Sequence, residues 1–167
     1  TWKWQILAGA TAVGYTLTQL NTIRSLDTQA PTNQAGNVYA NEGLCTSGEY
    51  IDVVLGRMWI AEEIEARILE LYLNEEKVPM SDPGIMQTEN VIRKVLKEAG
   101  QNGIIKTADS EADQANSDDG EYQFKVVSPL SADISTSDRA ARLLTITFSY
   151  ILAGAQHEAT VTGKVTA

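Results

Sequence analysis

Thiols and imidazoles are almost missing from this chain, which has one cysteine, Cys45, and one histidine, His157. A single cysteine cannot close an internal disulfide, and one residue of each kind cannot fill a zinc site without two carboxylates from elsewhere. The shortage of cysteine fits assembly in a reducing compartment. Basic residues are also scarce: 13 lysines and arginines stand against 22 aspartates and glutamates, for a net charge of −9. Affinity for nucleic acid comes mostly from cationic side chains that release counterions, so a nucleic-acid partner is disfavoured. Long apolar runs are lacking as well. The longest uncharged stretch near the start, Trp4 to Asn21, is broken by Thr, Gln, Gly9 and Gly14 and makes a poor bilayer span, so no membrane partner is expected. The sequence opens at Thr1 with no initiator methionine, basic segment or cleavage pattern, which points to a trimmed or partial chain without a secretory signal.

What remains has the composition of a folded protein, 43% hydrophobic and 21% charged. A chain of 167 residues supports one core that removes roughly 70% of the unfolded surface from water, so a single domain over 1–167 is the default reading. Trp2, Trp4 and Ile6 alternate with Lys3 and Gln5 as in a strand. Thr16 or Thr18 can cap a helix with the stripe Leu17, Leu20, Ile23 and Leu26, stopping near Pro31. Residues 37–46 suggest one or two short strands with a turn at Asn41-Glu42-Gly43. Two long helices follow. One runs from Asp52 to about Glu76. The other starts at Ser81-Asp82-Pro83, shows Ile85, Ile92, Val95, Leu96 and Ala99 on one face, and closes at Gly100 or Gly103.

Residues 108–120 hold five acidic and no basic side chains, and read as an acidic surface loop. Tyr122, Phe124 and Val126 alternate as a half-buried strand, Ser135 and Asp138 form a capping box for a short helix, and Leu144 to Leu152 is the clearest strand. The segment 153–156 reverses the chain into a last alternating stretch, His157 to Val165. The predicted fold class is therefore α+β: a mixed β-sheet packed by two long helices and shorter helices, with a C-terminal β-hairpin.

Chemistry is harder to place. A dyad of His157 with Cys45 or Ser149 would need an unseen tertiary contact. The acidic run Asp109, Glu111, Asp113, Asp118 and Asp119 lacks the glycine and terminal glutamate of a calcium loop. Gly163-Lys164 is followed by Val165 where a phosphate loop needs Ser or Thr. No catalytic residue, cofactor or metal site is assigned. Arg93, Lys94 and Lys97 cluster on the second long helix, either as a solvated face near the negative end of its dipole or as a docking face for an acidic partner.

Several blocks carry a resemblance: Gly48-Glu49-Tyr50-Ile51-Asp52, Trp59-Ile60-Ala61, and Lys77-Val78-Pro79-Met80-Ser81-Asp82-Pro83-Gly84-Ile85. Asn102-Gly103, Asp138-Arg139-Ala140-Ala141-Arg142, and Leu152-Ala153-Gly154-Ala155 followed by His157 continue it. In order and spacing these blocks resemble the phage tail-sheath-like proteins, over Trp2 to the C-terminus. Met80-Ser81 stands where a Tyr-Thr pair is usual, and the acidic segment is longer than in the family pattern. The resemblance implies the C-terminal, tube-proximal part of a longer sheath chain. It implies stacked hexameric rings around a tail tube, which contract to drive the tube through the host envelope. Its implied partners are neighbouring sheath subunits, the tail tube protein, the baseplate and the tail terminator, in a virion assembled in the host bacterial cytoplasm. Strand exchange between subunits falls on Thr160, Val161, Thr162, Lys164 and Val165, and the tube-facing basic patch on Arg93, Lys94 and Lys97. Two other readings remain: a non-contractile tail tube or baseplate adaptor, and a small phage-encoded hydrolase using His157.

Overall fold

The computed structural model describes residues 5–34 and 36–155. Trp2, Trp4 and the stretch His157 to Val165, with its exchange residues and the expected hairpin, lie outside them. The described residues divide into two compact units, one containing residues 5–34, 36–55 and 154–155 and the other residues 56–153. No helix among the described residues is long and apolar enough to cross a membrane.

The first unit is built from short polar elements. Helix α1 (Leu17–Ser25) opens with a full capping box, in which the Thr16 side chain accepts from the Gln19 N–H and the Gln19 side chain accepts from the Thr16 N–H. It ends earlier than the sequence suggested. Asp27 takes a left-handed backbone, φ 49°, and Thr28 donates through its N–H and hydroxyl to the Ile23 carbonyl, closing the last turn before Pro31. Strands β1 (Pro31–Gln34) and β2 (Asn37–Ala40) then form an antiparallel hairpin with Pro31 opposite Ala40. The turn lies before β2, at Gly36, whose φ of +82° suits a residue without a side chain. Ile6 bridges Tyr39, so the expected extended entry is seen at its last residue.

The second unit contains the large core. Helix α2 (Ile51–Asn74) crosses from the first unit and buries Ile60 and Ile64 in the second. Helix α3 (Asp82–Gln101) buries Ile85, Ile92, Val95, Leu96 and Ala99, the stripe read from its 3.6-residue period. Pro83 occupies the first turn, where no N–H is needed. Asp82 does not cap its own helix; its carboxylate accepts from the Ser131 N–H at 2.6 Å. At the far end the Gly103 N–H donates to Gly100 and the Ile104 N–H to Ala99, a Schellman closure that needs the left-handed φ of +72° at Gly103.

Ile60, Val95, Leu96 and Ile105 are essentially sealed from water, each burial stabilising the fold by about 1.5–3 kcal/mol. Strand β3 (Phe124–Val127) adds Phe124 and Val126, and pairs antiparallel with β4 (Thr147–Tyr150), Phe124 opposite Tyr150. Beyond β4 the segment 104–107 takes over the pairing, Ile105 with Leu152 and Thr107 with Tyr122, which is why β4 is shorter than the alternating stretch 144–152. A 3₁₀ turn (Ser131–Asp133) and helix α5 (Thr136–Ala141), capped by Ser135 on the Asp138 N–H, join the two strands. The class is α+β, and the strands form two separate two-stranded antiparallel sheets where one mixed sheet was expected. Alternation marks which face of a strand is buried, and in strands of four residues it does not fix which strand is the partner.

Candidate assembly surface

Two-stranded sheets leave unpaired backbone edges, and such edges accept a strand from another chain unless something blocks them. In the second unit β3 and β4 differ sharply in this respect. Inward, Lys125 and Val127 stand opposite Ser149 and Thr147. Outward, the Val126 N–H donates to the Asp118 carboxylate at 2.7 Å, and the Asp118 N–H donates to the Phe124 carbonyl at 3.1 Å. Asp118 thus clips the outer edge of β3. On β4 the outward backbone groups of Phe148 and Tyr150 have no strand beside them among the described residues. Their rings stack along one face, centroids 6.2 Å apart.

The clip is held by charge. Arg93 meets Asp118 at 2.9 Å and Glu89, one turn back on α3, at 2.7 Å. Lys97 meets Asp119 at 3.1 Å and Glu121 at 3.4 Å. Its ammonium pKa is raised, first by the hydrogen bond to Asp119 and then by that carboxylate's charge. The Tyr122 phenol beside this cluster is pushed up mainly by burial. The acidic segment is therefore ordered. Its residues Glu111–Ala115 form a short helix, α4, whose N-cap Ser110 accepts from the Asp113 N–H, and its later carboxylates are countered by α3.

The three basic residues singled out in the sequence separate into two groups. Arg93 and Lys97, four residues apart, share the face paired with the acidic segment. Lys94 is exposed, has no ion pair among the described residues, and lines a hollow of about 260 Å³ between α2 and α3 with Arg67, Leu71 and Val91. Sequence reasoning missed the part played by Asp118, because its partners stand 25 residues upstream on α3 and eight downstream on β3. The one hint was a carboxylate pair placed just before a strand.

Cys45 is half-buried, and Ser149 is exposed on β4. Among the described residues no group of three His, Cys, Asp or Glu side chains stands close enough to hold a metal ion.

The fold is similar to two solved chains. A chain in the cryo-EM structure of the anti-feeding prophage baseplate, 6-fold symmetrised, matches with a TM-score of 0.70 and 13% identity, covering 99% of this chain and 44% of that one. A chain in the cryo-EM structure of the anti-feeding prophage helical sheath in the contracted state matches with a TM-score of 0.68 and 12% identity, covering 98% and 45%. The chain thus spans less than half the length of either. No curated protein matches it in sequence. The family model for the E217 tail sheath protein gp31-like, C-terminal domain, matches residues 51–165, from the start of α2 through both β3 and β4. With the resemblance in the sequence, the sheath-like fold and that match in agreement, the chain belongs to the family of the E217 tail sheath protein gp31-like C-terminal domain.

Proposed function

We propose that this chain is a structural subunit of a contractile tail sheath, polymerising as stacked hexameric rings around the tail tube and contracting to drive the tube through the host envelope. The observation that carries the reading is the family match over residues 51–165. The work on this reading is mechanical, and no bond in a substrate is made or broken. The particle is a virion assembled in the host bacterial cytoplasm. The tube, the baseplate and the tail terminator are its other partners.

Subunits in a sleeve that changes shape need joints that bend without parting, and shared main-chain hydrogen bonds supply them. The edge of β4, unpaired among the described residues, suits an acceptor, because Asp118 blocks the alternative edge on β3 and directs an incoming strand to one place. Thr160, Val161, Thr162, Lys164 and Val165 form the donor strand, and head-to-tail pairing of this kind builds open helical tubes.

Arg93, Lys94 and Lys97 are proposed to face the tube, with Lys94 making the direct contact, since the other two are engaged by carboxylates of their own chain. Lys94→Glu is expected to leave the fold intact and to weaken tube attachment about threefold to tenfold at low salt, less at high salt. Co-sedimentation of sheath with tube at two salt concentrations measures it, and equal attachment by the variant would return Lys94 to a solvated helix face.

An adaptor at the baseplate is the second reading, favoured by the fold likeness to a chain of the anti-feeding prophage baseplate. Negative-stain microscopy of the purified chain separates the two. Long tubes of uniform width support the sheath, and discrete rings support the adaptor.

A further inference from the structure

Helix α2 is apolar on two sides. Ile60 and Ile64 are buried in the core, while Met58, Leu69 and Leu73 are exposed on the opposite face, Leu73 at 76%. A helix with apolar side chains all round normally has both faces covered. Glu62 and Glu65 lie among these exposed side chains, at the three- and four-residue spacings that share a face, and neither has a partner among the described residues. The outer face of α2 is therefore greasy and anionic.

A second surface of the same unit has the complementary character. A cavity of about 1000 Å³ opens where the loop between α2 and α3 meets α5. Lys77, Arg139 and Arg142 line it beside the apolar side chains of Tyr72, Met80 and Leu144. Glu76 is the one acidic residue in the lining. Arg142 is the C-cap of α5, in a left-handed backbone with φ 55°, and neither its guanidinium nor the Lys77 ammonium has a partner among the described residues. Two cations without partners among the described residues, gathered in one cavity, stand out in a chain of net charge −9. A small inorganic anion would leave the apolar half of this lining unused. An anionic helix face carrying Met and Leu uses both halves.

We propose that the cavity lined by Lys77 and Arg142 receives the Met58, Glu62, Glu65 and Leu69 face of α2 from a second copy of this chain. The two surfaces differ, so the contact is heterologous and can repeat from copy to copy around a ring or along a helix. The inference rests on the assembly reading above and adds a side-chain contact to the shared strand.

Charge exchange tests it in the full chain. Lys77→Glu with Arg142→Glu is expected to raise the concentration needed for assembly about tenfold, and Glu62→Lys with Glu65→Lys to do the same. All four substitutions together restore the pairs with reversed sign, and are expected to bring that concentration back to within about threefold of the parent. Circular dichroism of each variant should match the parent, because none of the four side chains has a partner to lose among the described residues. Rescue by the fourfold variant supports the contact, since a folding defect in either pair would not be repaired by the other. Parent tubes indifferent to both reversals, or reversals that add without rescue, overturn the contact alone. A parent chain that stays monomeric at every concentration overturns the assembly reading, and the contact with it.

Discussion

Replacing Gly84 by alanine is expected to destabilise the chain by about 2–3 kcal/mol, although alanine is the better helix former by roughly 1 kcal/mol. Gly84 sits in the first turn of α3, and a Cβ there would lie 1.9 Å from the carbonyl oxygen of Pro79 and 3.0 Å from its carbonyl carbon. Neither side can step back easily. Pro79 has a fixed φ, and the Ile85 N–H is tied to the Ser81 carbonyl at 2.9 Å. The methyl group would push the loop off the start of the helix that supplies the largest share of the core. Thermal unfolding should show a midpoint about 5–10 °C lower. Gly14→Ala makes the control, because a Cβ there meets nothing within 4 Å and the backbone is not left-handed; its effect should stay within about 0.5 kcal/mol. Equal stability of Gly84→Ala and the parent would mean that the loop does not cross the helix where it is placed.

Removing residues 158–167 is expected to abolish assembly and leave a folded monomer. The buried core of the second unit lies upstream of them, in Ile60, Val95, Leu96, Ala99, Ile105, Phe124 and Val126. A milder version is Val161→Pro, which deletes one main-chain donor and obstructs pairing while keeping the segment's length. Analytical ultracentrifugation should find both variants monomeric at concentrations where the parent forms tubes, with unchanged far-ultraviolet circular dichroism. Tubes from the shortened chain would remove strand exchange from the account.

The parts of this fold legible in the sequence are those whose signal is periodic and local. Five apolar residues at helical spacing gave the buried face of α3, Tyr122, Phe124 and Val126 gave the face of β3, and Ser135 with Asp138 gave the start of α5. Where the energy comes from residues distant in sequence, the pattern was silent. Pro31-Thr32-Asn33-Gln34 has no alternation of apolar side chains, so β1 was not foreseen, and the turn of its hairpin was placed after β2 where it precedes it. The acidic segment gave no sign of order, because the arginine and lysine that hold it belong to α3. The cavity cations were hidden for the same reason: Lys77 and Arg142 are 65 residues apart and meet only through the tertiary fold. Arg93, Lys94 and Lys97 looked equivalent at helical spacing, and the neighbours of α3 made them unequal.

Asp118 links these observations to function. A carboxylate that accepts from a strand N–H, while an arginine neutralises it, closes one sheet edge at little cost in buried charge. Its partner strand, β4, has no strand along its other edge among the described residues. A sheet guarded on one side alone is the arrangement expected of a subunit that adds strands in one direction and does not aggregate in the other.

Cryo-EM reconstruction of tubes grown from the purified chain is the most direct measurement. The account requires Thr160 to Val165 of one subunit to run beside Phe148 and Tyr150 of the next, bonded main chain to main chain along the outer edge of β4. Density showing that segment folded back onto the sheet of its own subunit, with side-chain contacts alone joining neighbours, would contradict it.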